Sequence, residues 1–219
     1  MYKLQQSDLS KASTILSQSF NNYPIFEYVI PDPVYRRDHL KYLCRFLLGL
    51  GVTRGEVIAP SNKIEGVSIW FLSSGSAVSS MDAIRAGLLG LVFHIDTKTL
   101  GRFLELGNIK GKMRAEIVQG PYYFCDMIGV NPKFQRLGYG RKMIEAKLCD
   151  FDEAKMPCYL ETSDLKNIAY YERFGFTLIH KYPISDVNVF CLLREPKSIK
   201  AIDGVAPVKW RVVGLGKGA

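Results

Sequence analysis

The chain is poor in the residues that build metal and redox centres. Its five cysteines, Cys44, Cys125, Cys149, Cys158 and Cys191, include no CxxC pair and leave an odd count. Four of them lie in apolar periodic stretches, where cysteine behaves as a small buried hydrophobe, and that usage suits a reducing, cytoplasmic setting. Histidine occurs three times, with no histidine–carboxylate cluster at metal-ligand spacing, so no metal is expected. The longest apolar run, Ala86 to Phe93, falls far short of the ~20 residues that span a bilayer, and the opening stretch MYKLQQSDLS has no signal-peptide core. No membrane partner is expected on that ground. Lysine and arginine outnumber aspartate and glutamate by 29 to 21, a net charge of +8, which favours an anionic partner. The excess is spread along the chain, with no run of five like charges and no interleaving of aromatic and basic residues, so no nucleic acid is expected.

The organisation has neither repeat nor linker, and residues 1–195 read as one α/β domain, with 196–219 as a tail or extra strand. Leu9, Ala12, Ile15, Leu16 and Phe20 recur at helical spacing behind Ser7, a plausible N-cap. A second helix follows Pro33 and is expected to stop at Gly49 and Gly51. The stretch from Glu56 to Ser73 reads as a hairpin turning at Pro60–Lys63, and residues 80–117 as one or two glycine-interrupted helices, an insertion or lid. Then come a strand over Tyr122–Val130, a glycine loop, a helix over Tyr139–Ala154, a strand at PCYLETS, a short helix ended by Gly175, and two more strands.

The loop, VNPKFQRLGYGRK (Val130–Lys142), stands between a strand and a helix. In that order, free N–H groups at the helix start can point at an anion, and Gly138 and Gly140 let it approach the main chain. Alone the pattern is also that of an ordinary glycine turn, and it matches neither GxxxxGK[ST] nor GxGxxG.

Two motifs together are more specific. VNPKFQRLGYG resembles the acyl-CoA-binding motif of the GNAT family of N-acetyltransferases, with Gln135, Gly138 and Gly140 in its three defining places. About 30 residues on, Asn167 and the box YYERFGF (Tyr170–Phe176) follow in that family's order. YLETSDLKNIAYYERFGF is similar to the puromycin N-acetyltransferase group in particular. The resemblance is firm over about Tyr122–Leu193.

It implies a GNAT fold, with a mixed sheet of about six to seven strands flanked by helices and central strands splayed around acetyl-CoA. Ile128, Gly129, Val130 and Asn167 would hold the pantetheine arm. Gln135, Arg136, Leu137, Gly138, Tyr139, Gly140 and Arg141 would seat the pyrophosphate. The N–H of Ile128 would polarise the thioester carbonyl, and Tyr171 would be the general acid beside the sulfur. The early-strand glutamate of some relatives is Phe124 here, which leaves Asp126, taken to share a strand face with Phe124, Ile128 and Val130, and Glu161 as alternative bases. Phe20, Tyr23, Phe26 and Tyr28 form an aromatic cluster that either walls an acceptor pocket or covers the core edge. The implied partner is a small-molecule amine, taken by a monomer or homodimer; a CoA-sensing module without efficient transfer is the alternative.

Overall fold

The computed structural model describes residues 1–74 and 78–197. Most of the expected tail, residues 198–219, lies outside the described residues. Seven strands form one sheet: β1 (Tyr2–Lys3), β2 (Glu56–Ala59), β3 (Gly66–Leu72), β4 (Tyr123–Val130), β5 (Cys158–Thr162), β6 (Thr177–Ile184) and β7 (Val187–Arg194). Their order is β1-β2-β3-β4-β5-β7-β6, antiparallel throughout except for the parallel pair β4–β5. The helices are α1 (Leu9–Phe20), α2 (Pro24–Val29), α3 (Pro33–Arg54), α4 (Ser80–Arg85), α5 (Leu88–His94), α6 (Thr97–Ile117), α7 (Tyr139–Glu153) and α8 (Lys166–Glu172).

Apolar residues cover both faces of the sheet. On one face α1 and α3 bury Leu16, Leu40, Leu43 and Leu48 against Val67, Ile69 and Met127. On the other, α7 buries Met143, Ile144, Leu148 and Phe151 against Trp70, Cys125 and Leu160. The inward positions of α7 recur at helical spacing, as an amphipathic helix requires.

Three sequence expectations shift. Ser7 lies in a 3₁₀ turn ahead of α1, and Asp8 satisfies the entry by accepting the Gln5 N–H at 3.0 Å. Residues 80–117 form three helices, broken at Gly87 and at Asp96, whose carboxylate accepts the N–H groups of Lys98 and Thr99. Helix α3 runs through Gly49 and Gly51 and ends at Gly55. The two glycines serve close packing: a Cβ on Gly51 would lie 2.6 Å from Val57 Cγ2 and 2.7 Å from Ile69 Cγ2, and one on Gly49 would strike Ala86 O. A glycine inside a helix costs about 1 kcal/mol, and here the cost is offset by the approach of α3 to the sheet and to α4.

Arg194 ties the far edge together. It is buried, donates two bonds of 2.7 Å to the Asp152 carboxylate on α7, and a third of 2.9 Å to the Phe174 carbonyl after α8. Burial alone would raise the Asp152 pKa, but the Arg194 bonds outweigh it and hold that carboxyl below its ordinary value. The contribution is therefore present above the unfolded carboxyl pKa of ~3.9 and lost as pH falls through the lower folded value. Arg194→Met should cost about 2 kcal/mol in urea unfolding at neutral pH, with the deficit shrinking at acid pH. A deficit unchanged down to pH 2 would assign the loss to packing instead.

Candidate active site

The site begins where two strands part. β5 pairs with β4 only over Tyr123–Cys125, opposite Cys158–Leu160, while β4 stays paired with β3 as far as Val130. From Asp126 onward the β5 side of β4 is open, and a cleft forms. Hydrogen bonds at the two ends of β4 show which groups face it. The Tyr123 N–H donates toward β5, to Pro157 O at 3.0 Å; the Asn131 N–H donates toward β3, to Glu65 O at 2.9 Å. In an unbroken strand these two amides, eight residues apart, would point the same way.

The register explains the reversal. Ile69 pairs with Met127 but Trp70 with Cys125, so Asp126 is the extra residue of a β-bulge. Beyond the bulge the amides of Ile128 and Val130 turn to the cleft, and the Val130 carbonyl accepts there from Ser19 Oγ at 2.7 Å and Gln135 Nε2 at 3.3 Å. The bulge also breaks the strand face expected for Asp126. Phe124 and Met127 pack on the α1–α3 side, whereas Cys125, Ile128 and Val130 lie on the α7 side. The Gly129 amide belongs to the β3 side, and a Cβ on it would lie 3.0 Å from both Leu16 and Ser19 of α1.

The cleft widens into a cavity of about 430 Å³. Its wall combines the polar groups of Asp126, Asn167 and Tyr171 and the side chain of Ile128 with the aromatic rings of Phe20, Phe26, Phe71, Phe103 and Phe124. Tyr23 also lines the cavity, its hydroxyl 2.6 Å from Thr162 Oγ1 and accepting the Ser163 N–H at 2.9 Å. Asn167 joins the same group by donating to Thr162 Oγ1 at 3.1 Å. Tyr28 is not part of the cavity wall and packs on the α1–α3 core. Tyr171 is buried, and that burial, reinforced by the neighbouring Cys125 and Tyr23, pushes its hydroxyl well above the usual tyrosine range. It stays protonated across the neutral range.

Glu161 is tightly held. Its carboxylate meets Lys110 Nζ at 2.9 Å and Arg114 Nε at 3.6 Å, both from α6, and accepts the Tyr159 hydroxyl at 2.9 Å. The Arg114 guanidinium also lies 4.4 Å above the Phe124 ring. Burial works against the Lys110 charge, yet Glu161 and Asp126 outweigh it and hold the ammonium above its ordinary pKa. Asp126, by contrast, has neither hydrogen bond nor ion pair within 4 Å among the described residues. Sequence reasoning missed Lys110 and Arg114. Their i, i+4 spacing sets both on one helix face, but nothing local directs that face at a strand about 50 residues away.

At the mouth of the cleft, Gln135, Arg136 and Leu137 are exposed, and Gly138 adopts φ +83° to open α7. Arg136 also has a left-handed backbone, φ +65°. Lys142 is the first helical N–H with an acceptor in its own helix, Gly138 O, so those of Tyr139, Gly140 and Arg141 are left for an outside acceptor. Gly140 sits beside β4, with Val130 Cγ2 3.6 Å from where its Cβ would be, and the Arg141 side chain pairs with Glu145 at 2.8 Å. Among the described residues no group of three metal-ligating side chains converges.

A family model for an acetyltransferase (GNAT) domain matches residues 98–178, a span that holds α6, the bulged strand, the glycine loop and the Tyr171 helix. Over that span the chain is similar to a GNAT acetyltransferase domain. An uncharacterized N-acetyltransferase of Schizosaccharomyces pombe is 25% identical to this chain over 207 residues, covering 90% of it and 83% of the relative. Two solved structures share its fold. One is a "histone acetyltransferase HPA2 and related acetyltransferase" of Corynebacterium glutamicum, with 16% identity over 91% of this chain and 97% of that one, at TM-score 0.64. The other is the C-terminal condensation domain of Ebony in complex with beta-alanyl-dopamine, with 12% identity over 89% and 97%, at TM-score 0.61. The matched segment includes both α6 cations and Glu161, so the ion cluster lies inside the matched span.

Lys110→Met should destabilise the protein by about 2–3 kcal/mol in denaturant, because Glu161 keeps its burial but loses its nearest cation. A raised lysine pKa contributes stability that is complete below the unfolded value of ~10.4 and fades as pH rises through the folded value. The difference between parent and variant should shrink above that pH; a constant difference would separate the loss from the ion pair.

Proposed function

We propose that the protein is an acetyl-CoA-dependent N-acetyltransferase that transfers to the primary amine of a small molecule by direct attack in a ternary complex. One observation carries the reading: the cleft-facing Ile128 amide, the protonated Tyr171 and the unpaired Asp126 border the same cavity. When bound, acetyl-CoA supplies an activated acetyl thioester. The chain offers it a fitting cradle. The free amides of Tyr139, Gly140 and Arg141, with the α7 dipole behind them and the cations of Arg136 and Lys142 alongside, suit a diphosphate. The open flank of β4 suits an extended amide-bearing arm beside Ile128 and Val130. Asn167 spends its N–H on Thr162 and keeps its Oδ1 free as an acceptor for that arm.

Each residue then has a physical task. The Ile128 N–H donates to the oxygen on which negative charge develops. Tyr171 holds a proton at neutral pH and delivers it to the departing sulfur. Asp126 takes the proton of the incoming amine, because Glu161 has its oxygens committed to Lys110, Arg114 and Tyr159. Glu161 acts instead through position, anchoring α6 across the cavity. The aromatic wall, with Phe20, Phe26 and Phe103, favours an amine carried on an apolar body over a polyamine.

The test reads free thiol released from acetyl-CoA across amines, amino acids, polyamines and peptide N-termini. Apolar primary amines should be the better acceptors. Tyr171→Phe should lower kcat about 100-fold with the donor KM little changed, and Asp126→Asn should lower turnover with the donor KM little changed. Tight acetyl-CoA binding with no thiol release for any amine would replace this reading by a CoA-sensing module.

A further inference from the structure

Helix α5 reads LLGLVFH and carries no acidic, lysine or arginine side chain. A helix that is apolar on all sides is ordinarily buried. This one is not. Leu91 and, just past its end, Ile95 point into the core, while Leu89, Val92 and Phe93 lie outward, Phe93 at 81% exposure. The neighbouring α4 repeats the arrangement, with Asp82 inside and Met81 and Ile84 outside, and Val78 exposed just before it. Both helices are fastened along α3, through the Gly49–Ala86 approach, the stacking of Tyr42 on His94 at 4.1 Å, and the His39–Asp96 contact at 3.6 Å. The outward residues thus form one apolar surface on a firm support.

The charges around it have one prevailing sign. Between Val78 and Ile95 the only acid, Asp82, is buried and lies 3.4 Å from Arg54, while Arg85 is exposed. On the adjoining α3, Arg37, Lys41 and Arg45 are exposed against one acid, Asp38. Past α5, Asp96 is spent on capping α6 and on His39, and Lys98 is exposed beside it. A second copy seated by two-fold symmetry would set this basic surround against itself, with no exposed acid in the 78–95 segment to meet Arg85. An anionic lipid surface satisfies both features at once: acyl chains accept Leu89, Val92 and Phe93, and headgroups accept the cations.

We propose that the α4–α5 face docks the protein on an anionic membrane surface. This is association at the interface, and it differs from the spanning that the short apolar runs exclude. The full chain should sediment with vesicles of phosphatidylcholine plus phosphatidylserine far more than with phosphatidylcholine alone. Replacing both Leu89 and Phe93 by serine should cut partitioning about tenfold or more, from the apolar area withheld from lipid. Arg85→Glu should cut it about tenfold on the anionic vesicles and little on the neutral ones. All the changed positions are solvent-exposed, and melting temperature and thiol-release activity without vesicles check that the fold is intact. No sedimentation with anionic vesicles, or sedimentation unchanged in the double variant, would overturn the proposal. So would light scattering that shows a dimer turned monomeric by the double variant, which would make this face a contact between copies.

Discussion

β4 loses its partner on one side before it ends, and that loss organises the molecule. A strand with both neighbours spends every amide on the sheet; β4 spends its β3-side amides over its whole length and leaves its β5 side open past Cys125. Unpaired backbone groups on a partly buried strand are costly, so such an opening persists only where something else accepts them. The bulge at Asp126 decides which ones are offered. Without the extra residue, the cleft would present the Met127 and Gly129 amides, and Ile128 would face β3. One inserted residue therefore turns the donor toward the cavity, and the same kink leaves Asp126 on the cavity wall with no hydrogen-bond partner among the described residues.

The acidic residues of the cavity divide by the same reasoning. Glu161 lies on β5, inside the antiparallel pairing with β7, where its carboxylate is nearly buried and is met by cations. Helix α6 supplies them with Lys110 and Arg114, one turn apart. In return the helix is pinned over the cavity, and it brings Phe103 and Leu106 into the cavity wall. Helix α6, the last part of the 80–117 segment, thus lines the cavity and is joined by ion pairs to β5. Asp126 feels the same cations at longer range, but among the described residues it has no direct hydrogen bond or ion pair, so its oxygens stay available.

The parts of this arrangement that were legible in the sequence are those coded within a dozen residues. The strand, loop and helix around Gly138 carry their own periodicity and turn chemistry, and the Asn167–Phe176 segment carries a motif. The amphipathic helix α7 and the hairpin β2–β3 are equally local. What escaped depends on distant partners. Gly49 and Gly51 look like a helix end, because only the folded state reveals Ala86, Val57 and Ile69 pressing on them. The bulge at Asp126 is invisible, because alternation in YYFCDMIGV can be written with or without a skipped residue. Tyr28 shares its neighbours' aromatic character, and only the pitch of α2 sends it to the core while Phe26 reaches the cavity.

The two parts of the site answer to different constraints. The groups offered to the proposed donor are main-chain amides, those of Ile128, Tyr139, Gly140 and Arg141, which any side chain of compatible conformation would supply. Changing them means changing backbone, and the backbone there is set by a bulge, a left-handed Gly138 and the start of α7. The aromatic wall is made of side chains from α1, α2, α6, the end of β3 and Phe124 of β4. A substitution at Phe103 or Phe26 alters the space without touching the sheet. The fold thus separates what must stay constant for the chemistry from what can vary with the acceptor, and the ion cluster of Lys110, Arg114 and Glu161 is the joint between the two.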